Sequence, residues 1–327
     1  MKDFSIINGG QTTYMIFKSK MISPENDFYL PCKIIKAIGN NDREKSLFSL
    51  EIAKATNSQK AINKKDLKAN APEQIRFMHA MDEEGVYFQT KRGEVIPKQY
   101  KPSYKNADLG KIGKLCLAAI FQLPCTSRNR PSALYSEKFY NPIFNGNASS
   151  QKQIAKLCRE FLYIDFFFSK FIVAFDEKAN SMHKSFANER IAFAHNARTI
   201  CIAFVAFASR YYQNNINEQL VVQLRNIVSG SEEIDSLYDK FCNIDNFSSV
   251  LPPDLFRKQD EYDKVLEKLF EIIINAGEEV YSTTKRFKPD INQTNFLKKD
   301  QNYYDIISTK WPHIKNDINE VFNTLNF

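Results

Sequence analysis

Near the start of the chain, the stretch FSIINGGQTTYMI at positions 4 to 16 sets an amide, two glycines, a second amide and two hydroxyls between an apolar run and a helix-like run. Phe4, Ile6 and Ile7 read as a short strand, Gly9 and Gly10 as a turn that tolerates positive φ, and Gln11 to Lys20 as the opening of a helix. Backbone N–H groups at such a helix start can hold an anion, and the same glycines equally suit a plain strand-to-helix turn. A phosphate-binding P-loop needs a longer loop with a Lys just before the Ser or Thr, and a dinucleotide fingerprint needs a third Gly; neither pattern is present. Asn8 and Gln11 carry both donors and acceptors, which suit the edge of a base or an amide better than the charge of a phosphate.

Positioning these groups requires a folded scaffold, and the composition supplies one. The chain has 327 residues, 43% hydrophobic and 13% aromatic, enough for a substantial core in one large domain or two ordinary ones. Six scattered cysteines with no CxxC pair, and four histidines, suggest neither a zinc cage nor a disulfide framework, so reduced thiols and a cytoplasmic location are expected. No apolar signal segment follows Met1, and the longest apolar stretches, such as ICIAFVAFA at 200 to 208, are about half a membrane span, so a soluble protein is expected. The formal charge of +7 is uneven. Residues 1 to 150 carry 23 Lys and Arg against 14 Asp and Glu, a balance of +9, and the remainder carries 22 against 24, a balance of −2. A basic first half can serve a polyanion, and a solvated lysine surface accounts for it as well.

Along the chain, YLPCKIIKAI (29 to 38) reads as a second strand and REKSLFSLEIAKAT (43 to 56) as an amphipathic helix. Asn63 can cap a helix through about Met81, and GVYFQTKRGE (85 to 94) reads as a strand closed by a turn at Gly93. The first 95 residues therefore alternate strand and helix. From about Asp108 nearly everything has helical period: 109 to 123, 152 to 175, 189 to 212, and shorter runs at 218 to 228, 232 to 242 and 257 to 281. Pro131, Pro142 and NPIFNGNASS mark a hinge. The expected fold class is α+β: a small N-terminal α/β module over 1 to 125 carrying the NGGQT turn, a hinge over 126 to 150, and a mainly α-helical domain over 151 to 327.

With the motifs placed, the first 150 residues resemble the abortive-infection phage-resistance (AIPR) family of bacterial proteins. The matching stretches are IINGGQTT (6 to 13), ATNSQKAINKKDLKAN (55 to 70), QIRFMHAMDEEGVYFQTKRGE (74 to 94) and YNPIF (140 to 144). More distantly, an NG-x-Q-T turn paired with a downstream N-x-Q-K resembles the DGQHR proteins of DNA-modification systems and the ParB-like superfamily, where that turn sits at a nucleotide or DNA-end site. Carried over, the resemblance marks Asn8, Gly9, Gln11 and Thr12, then Asn57, Gln59 and Lys60. Asn8 stands where the DGQHR acid would be, and Thr12 and Thr13 where His-Arg would be. Direct charge pairing with phosphate at the turn, and nucleotide hydrolysis, are weakened accordingly. Family members usually carry a long region before this turn, whereas seven residues precede Asn8 here. The expectation is a fragment or one half of a split gene, with a partner protein or domain supplying the upstream region.

If Asn8, Gly10, Gln11, Asn57, Gln59 and the cationic pair Lys91 and Arg92 converge, they form a polar cleft with amides to read a base and cations to hold phosphate. The alternative is that Asn57 ends a helix, Gln59 is a solvated linker residue and Lys91-Arg92 is an exposed rim. In the helical part, RIAFAH (190 to 195) has an R-x4-H spacing that resembles the HEPN ribonucleases of phage defence. That resemblance implies Arg190 neutralising a scissile phosphate and His195 exchanging protons with the 2′-hydroxyl. Ile191 stands where the usual polar residue follows the Arg, and five residues of helix turn about 140°, so the pair needs a kink or a second subunit of a homo-oligomer to meet. A satisfied histidine on a core helix is the competing reading. RNRP (128 to 131) can grip phosphates or cap a helix, and KRFKPD (285 to 290) reads as a solvated helix end.

Three functions follow. The favoured one is a defence protein whose basic module binds nucleic acid or nucleotide and whose helical module responds. The others are an enzyme, either an NTPase at the turn or a metal-independent ribonuclease at Arg190 and His195, and a protein-docking half of a split defence protein. No metal and no cofactor other than a nucleotide is expected.

Overall fold

A helix that is apolar on every side has no face to offer water and has to lie inside. Residues 200 to 208 form such a segment, and every residue from Ile200 to Arg210 is buried. Helices of residues 68 to 327 pack around it. The structure, a computed structural model, describes residues 10–19, 34–36, 41–56, 71–91, 94–180, 184–242, 247, 249–251 and 258–324. The chain divides into two units, Met1–Leu67 and Lys68–Phe327.

In the first unit the described residues form two helices, α1 (Gly10–Ser19) and α2 (Asp42–Thr56). The second starts on a reciprocal cap: Asn41 accepts from the Glu44 N–H at 2.9 Å while its own amide donates to the Glu44 carboxylate at 3.0 Å. Both helices lie where the sequence predicts them. Residues 34–36, the described part of the expected strand at 29 to 38, have no regular structure. The strand expected at 4 to 7 and the cap expected at Asn63 fall outside the described residues.

The second unit begins with α3 (Pro72–Glu83), followed by β1 (Tyr87–Gln89) and β2 (Asn106–Asp108). These strands pair in parallel, Tyr87 with Asn106, Phe88 with Ala107 and Gln89 with Asp108. Phe88 and Ala107 point to the core, and Asp108 then caps α4 (Leu109–Ala119) by accepting from the Lys111 N–H at 2.8 Å. Next come α5 (Pro124–Asn129), α6 (Glu137–Phe144), the 33-residue α7 (Ala148–Asn180), α8 (Lys184–Asn196) and α9 (Arg198–Tyr212). The order continues with α10 (Glu218–Ser229), α11 (Tyr238–Cys242), α12 (Gln259–Phe287), α13 (Gln293–Phe296) and α14 (Asp300–Asn323). The central α9 packs against α4, α5, α7, α12 and α14.

Three sequence expectations change here. Among the described residues the strands lie at 87–89 and 106–108, within the α/β module expected over 1 to 125 but in the second unit, so that module is divided between the two units. Residues 126 to 150, read as a hinge, are built into the second unit, with Leu134, Tyr140, Ile143 and Phe144 buried. Of the prolines read as hinge markers, Pro131 occupies the first turn of a short 3-10 helix, where a missing N–H is harmless, and Pro142 is accommodated inside α6. The helix expected across 189 to 212 is two helices, bent by 69°. At the break Arg128 donates to the Asn196 carbonyl at 3.0 Å and to its side-chain oxygen at 2.8 Å, satisfying the end of α8 from another element.

Gln122 fixes how α4, α9 and α14 meet. Its backbone is in the left-handed region at φ 56°, and its buried amide donates to the Ala119 and Ala203 carbonyls at 2.8 and 2.9 Å. The Tyr303 and Tyr304 hydroxyls donate to its side-chain and backbone oxygens at 2.7 and 3.0 Å. Full satisfaction of these polar groups offsets a backbone conformation that costs a non-glycine residue about 1 to 3 kcal/mol.

Candidate functional site

The turn residues divide between described and undescribed positions. Helix α1 opens on Gly10, so Gly10, Gln11 and Thr12 occupy its first turn, which contains no acidic residue. Asn8, Gly9, Asn57, Gln59, Lys60 and Arg92 lie outside the described residues. Lys91 is exposed in the bend after β1, in the second unit.

Arg190 and His195 are both on α8 and are taken up by different acids. The His195 Nε2 lies 2.9 and 3.1 Å from the two carboxylate oxygens of Asp176, near the end of α7. Arg190 donates to the Asn275 side-chain oxygen at 2.6 Å, lies 3.8 Å from the Glu278 carboxylate, and stacks over Phe175 at 5.3 Å. Burial pushes the Glu278 carboxyl upward, with the Arg190 charge opposing that shift. The arrangement fastens α8 to α7 and α12, and it gives Arg190 an acid and an amide where a ribonuclease would present it to phosphate. Among the described residues no three His, Cys, Asp or Glu side chains gather as a metal would require.

Sequence reading passed over Arg210. It closes the apolar run of α9, and nothing in AFASRYY distinguishes an arginine that leaves the core from one that stays in it. The structure keeps it inside, 2% exposed. Its guanidinium donates to the Ile120 carbonyl at 3.0 Å and the Phe241 carbonyl at 3.3 Å, and it lies over the rings of Phe247 and Phe241 at 4.5 and 5.7 Å. It also borders a cleft of about 340 Å³ between the end of α9, the first turn of α10 and α11. The only signal available in the sequence is that a helix apolar on all faces carries its terminal polar residue with it.

These observations define a mainly helical protein with a two-stranded parallel sheet among its described residues. The family model described as AIPR protein matches residues 1–285, most of the chain. The chain belongs to the AIPR family, the bacterial abortive-infection proteins that act against phage. No curated protein and no solved structure matches it. Among the described residues no single helix is long and apolar enough to cross a membrane.

Proposed function

We propose that this abortive-infection protein binds nucleic acid or a nucleotide through its basic first part, at the turn from Asn8 to Thr12, and that its helical part responds to the binding. The observation that carries the reading is the start of α1: ten residues opening on Gly10 with no acid in the first turn. The leading N–H groups and the positive end of the helix dipole then favour an anionic or polar ligand. Gly9 and Gly10 admit close approach, Asn8 and Gln11 read a polar edge through hydrogen bonds, and Thr12 adds a hydroxyl. Asn57 and Gln59 add further amides, and Lys60 neutralises phosphate. The likeness of these residues to the DGQHR and ParB-like turn, and the +9 balance of residues 1 to 150, support the assignment. The unpaired thiols of the described cysteines suit a cytoplasmic setting.

The test is thermal unfolding of the full chain with a panel of nucleotides and short oligonucleotides, wild type against Gln11→Ala. The expected result is that at least one ligand stabilises the wild type, and that Gln11→Ala weakens it by about 1 to 3 kcal/mol while leaving the ligand-free melting temperature nearly unchanged. A ligand-free loss of several degrees, with no panel member stabilising the wild type, would assign Gln11 to the fold alone.

A further inference from the structure

The fold takes Arg210 inside without giving it an opposite charge. Among the described residues no carboxylate pairs with its guanidinium, whose hydrogen bonds go to two backbone carbonyls. Burial pulls its pKa down to about 9, which still leaves it cationic at neutral pH. Carbonyl dipoles and the negative end of α9 compensate part of the charge, but desolvating a cation costs several kcal/mol and dipoles alone offset it incompletely. Two of the five N–H groups are engaged, so the planar fork retains donors for an oxyanion.

The bordering cleft adds the rest of a receptor. Its volume of about 340 Å³ matches the lower end of small-ligand pockets, roughly 300 to 1,000 Å³. The first turn of the twelve-residue α10 forms one wall, with Asn217 capping it by accepting from the Gln219 N–H at 3.1 Å. Lys240, on α11, also lines the cleft; it is exposed and forms no ion pair among the described residues. The opposing charges are Asp239 and Glu218, the latter in the first turn of α10; both are exposed, where water screens them, and Glu218 is paired with Lys315. An interior cation, a helix start and a second cation thus face one space rimmed by the amides of Asn215, Asn217 and Gln219.

We propose that this cleft binds a phosphomonoester group carried on a ligand no larger than a mononucleotide. The dianion meets the Arg210 fork and Lys240, the α10 start faces its oxygens, and the amides take polar atoms of the attached group. The site lies within the second unit and is independent of the turn at Gly10.

Calorimetric titration and thermal unfolding of the full chain with inorganic phosphate, AMP and adenosine test this. Phosphate and AMP should raise the melting temperature with concentration, AMP binding the more tightly, and adenosine should do neither. Lys240→Ala should weaken AMP binding by about threefold or more at unchanged ligand-free stability. Arg210→Met, close in volume, should abolish the response. Should that variant not fold, Arg210→Lys keeps the charge without the fork and should bind at least about tenfold more weakly. A folded wild type indifferent to phosphate and AMP overturns the proposal. So does an equal response to AMP and adenosine, or undiminished AMP binding in Lys240→Ala and in the folded Arg210 variant.

Discussion

Glu160, on α7, shows how far a single side chain can be set apart by its surroundings. It is buried, and its carboxylate accepts from the Val250 and Leu251 N–H groups at 2.9 and 3.2 Å. Burial pushes its pKa up to about 7, against the opposing pull of those two donors and of the Arg159 and Lys156 charges. The folded chain therefore holds a proton that the unfolded chain releases near its ordinary value of 4.5. The associated stability is fully present below that value and is lost as pH rises through about 7, a change on the order of 3 kcal/mol. Glu160→Gln keeps an oxygen for the two N–H groups and should remove this part of the pH dependence. Urea unfolding of both proteins on either side of the window checks it, and an unchanged slope in the variant would contradict the assignment. His195 offers a second prediction at this scale. Its pairing with Asp176 is half exposed, so His195→Ala should cost no more than about 1 kcal/mol. Purified, folded wild type should leave RNA intact without metal; metal-free cleavage abolished by His195→Ala would restore the ribonuclease reading.

At the scale of elements, the glycine pair and apolar periodicity made α1, α2 and α10 legible within a residue or two. Where the reading failed, the deciding interaction came from elsewhere in the chain. The bend at Ala197 has no local turn signal, because the element that completes the end of α8 is Arg128, 68 residues away. Likewise α4 stops at Ala119 instead of running to 123, because Gln122 is committed to Ala203, Tyr303 and Tyr304. Of the candidate site, the helix start at Gly10 was legible and the interior position of Arg210 was not, since burial is decided by the helices around α9. Gly277 on α12 gives an element-scale test of that packing. A Cβ there would lie 2.5 Å from the ring tip of Phe193, which is fully buried on α8. Gly277→Ala gains about 1 kcal/mol in helix propensity and overpacks the contact by about 1 to 3 kcal/mol. The net expectation is destabilisation, measured by chemical denaturation; a stabilised variant would mean that α8 and α12 separate at little cost.

For the molecule as a whole, the family match extends well past the 150 residues whose motifs first carried the resemblance. It ends inside α12, so most of the helical second unit belongs to the family pattern along with the turn. Charge is partitioned against that continuity, +9 over residues 1 to 150 and −2 over the remainder, the balance on which the proposed contact with a polyanion draws. The most direct measurement of nucleic-acid binding is fluorescence anisotropy of a labelled DNA duplex titrated with the full chain over a series of salt concentrations. Contact with the phosphate backbone predicts a log-log slope of about −0.9 for each phosphate neutralised, hence a steep fall in affinity as salt rises. A folded chain that binds independently of salt, or fails to bind at low salt, would contradict it.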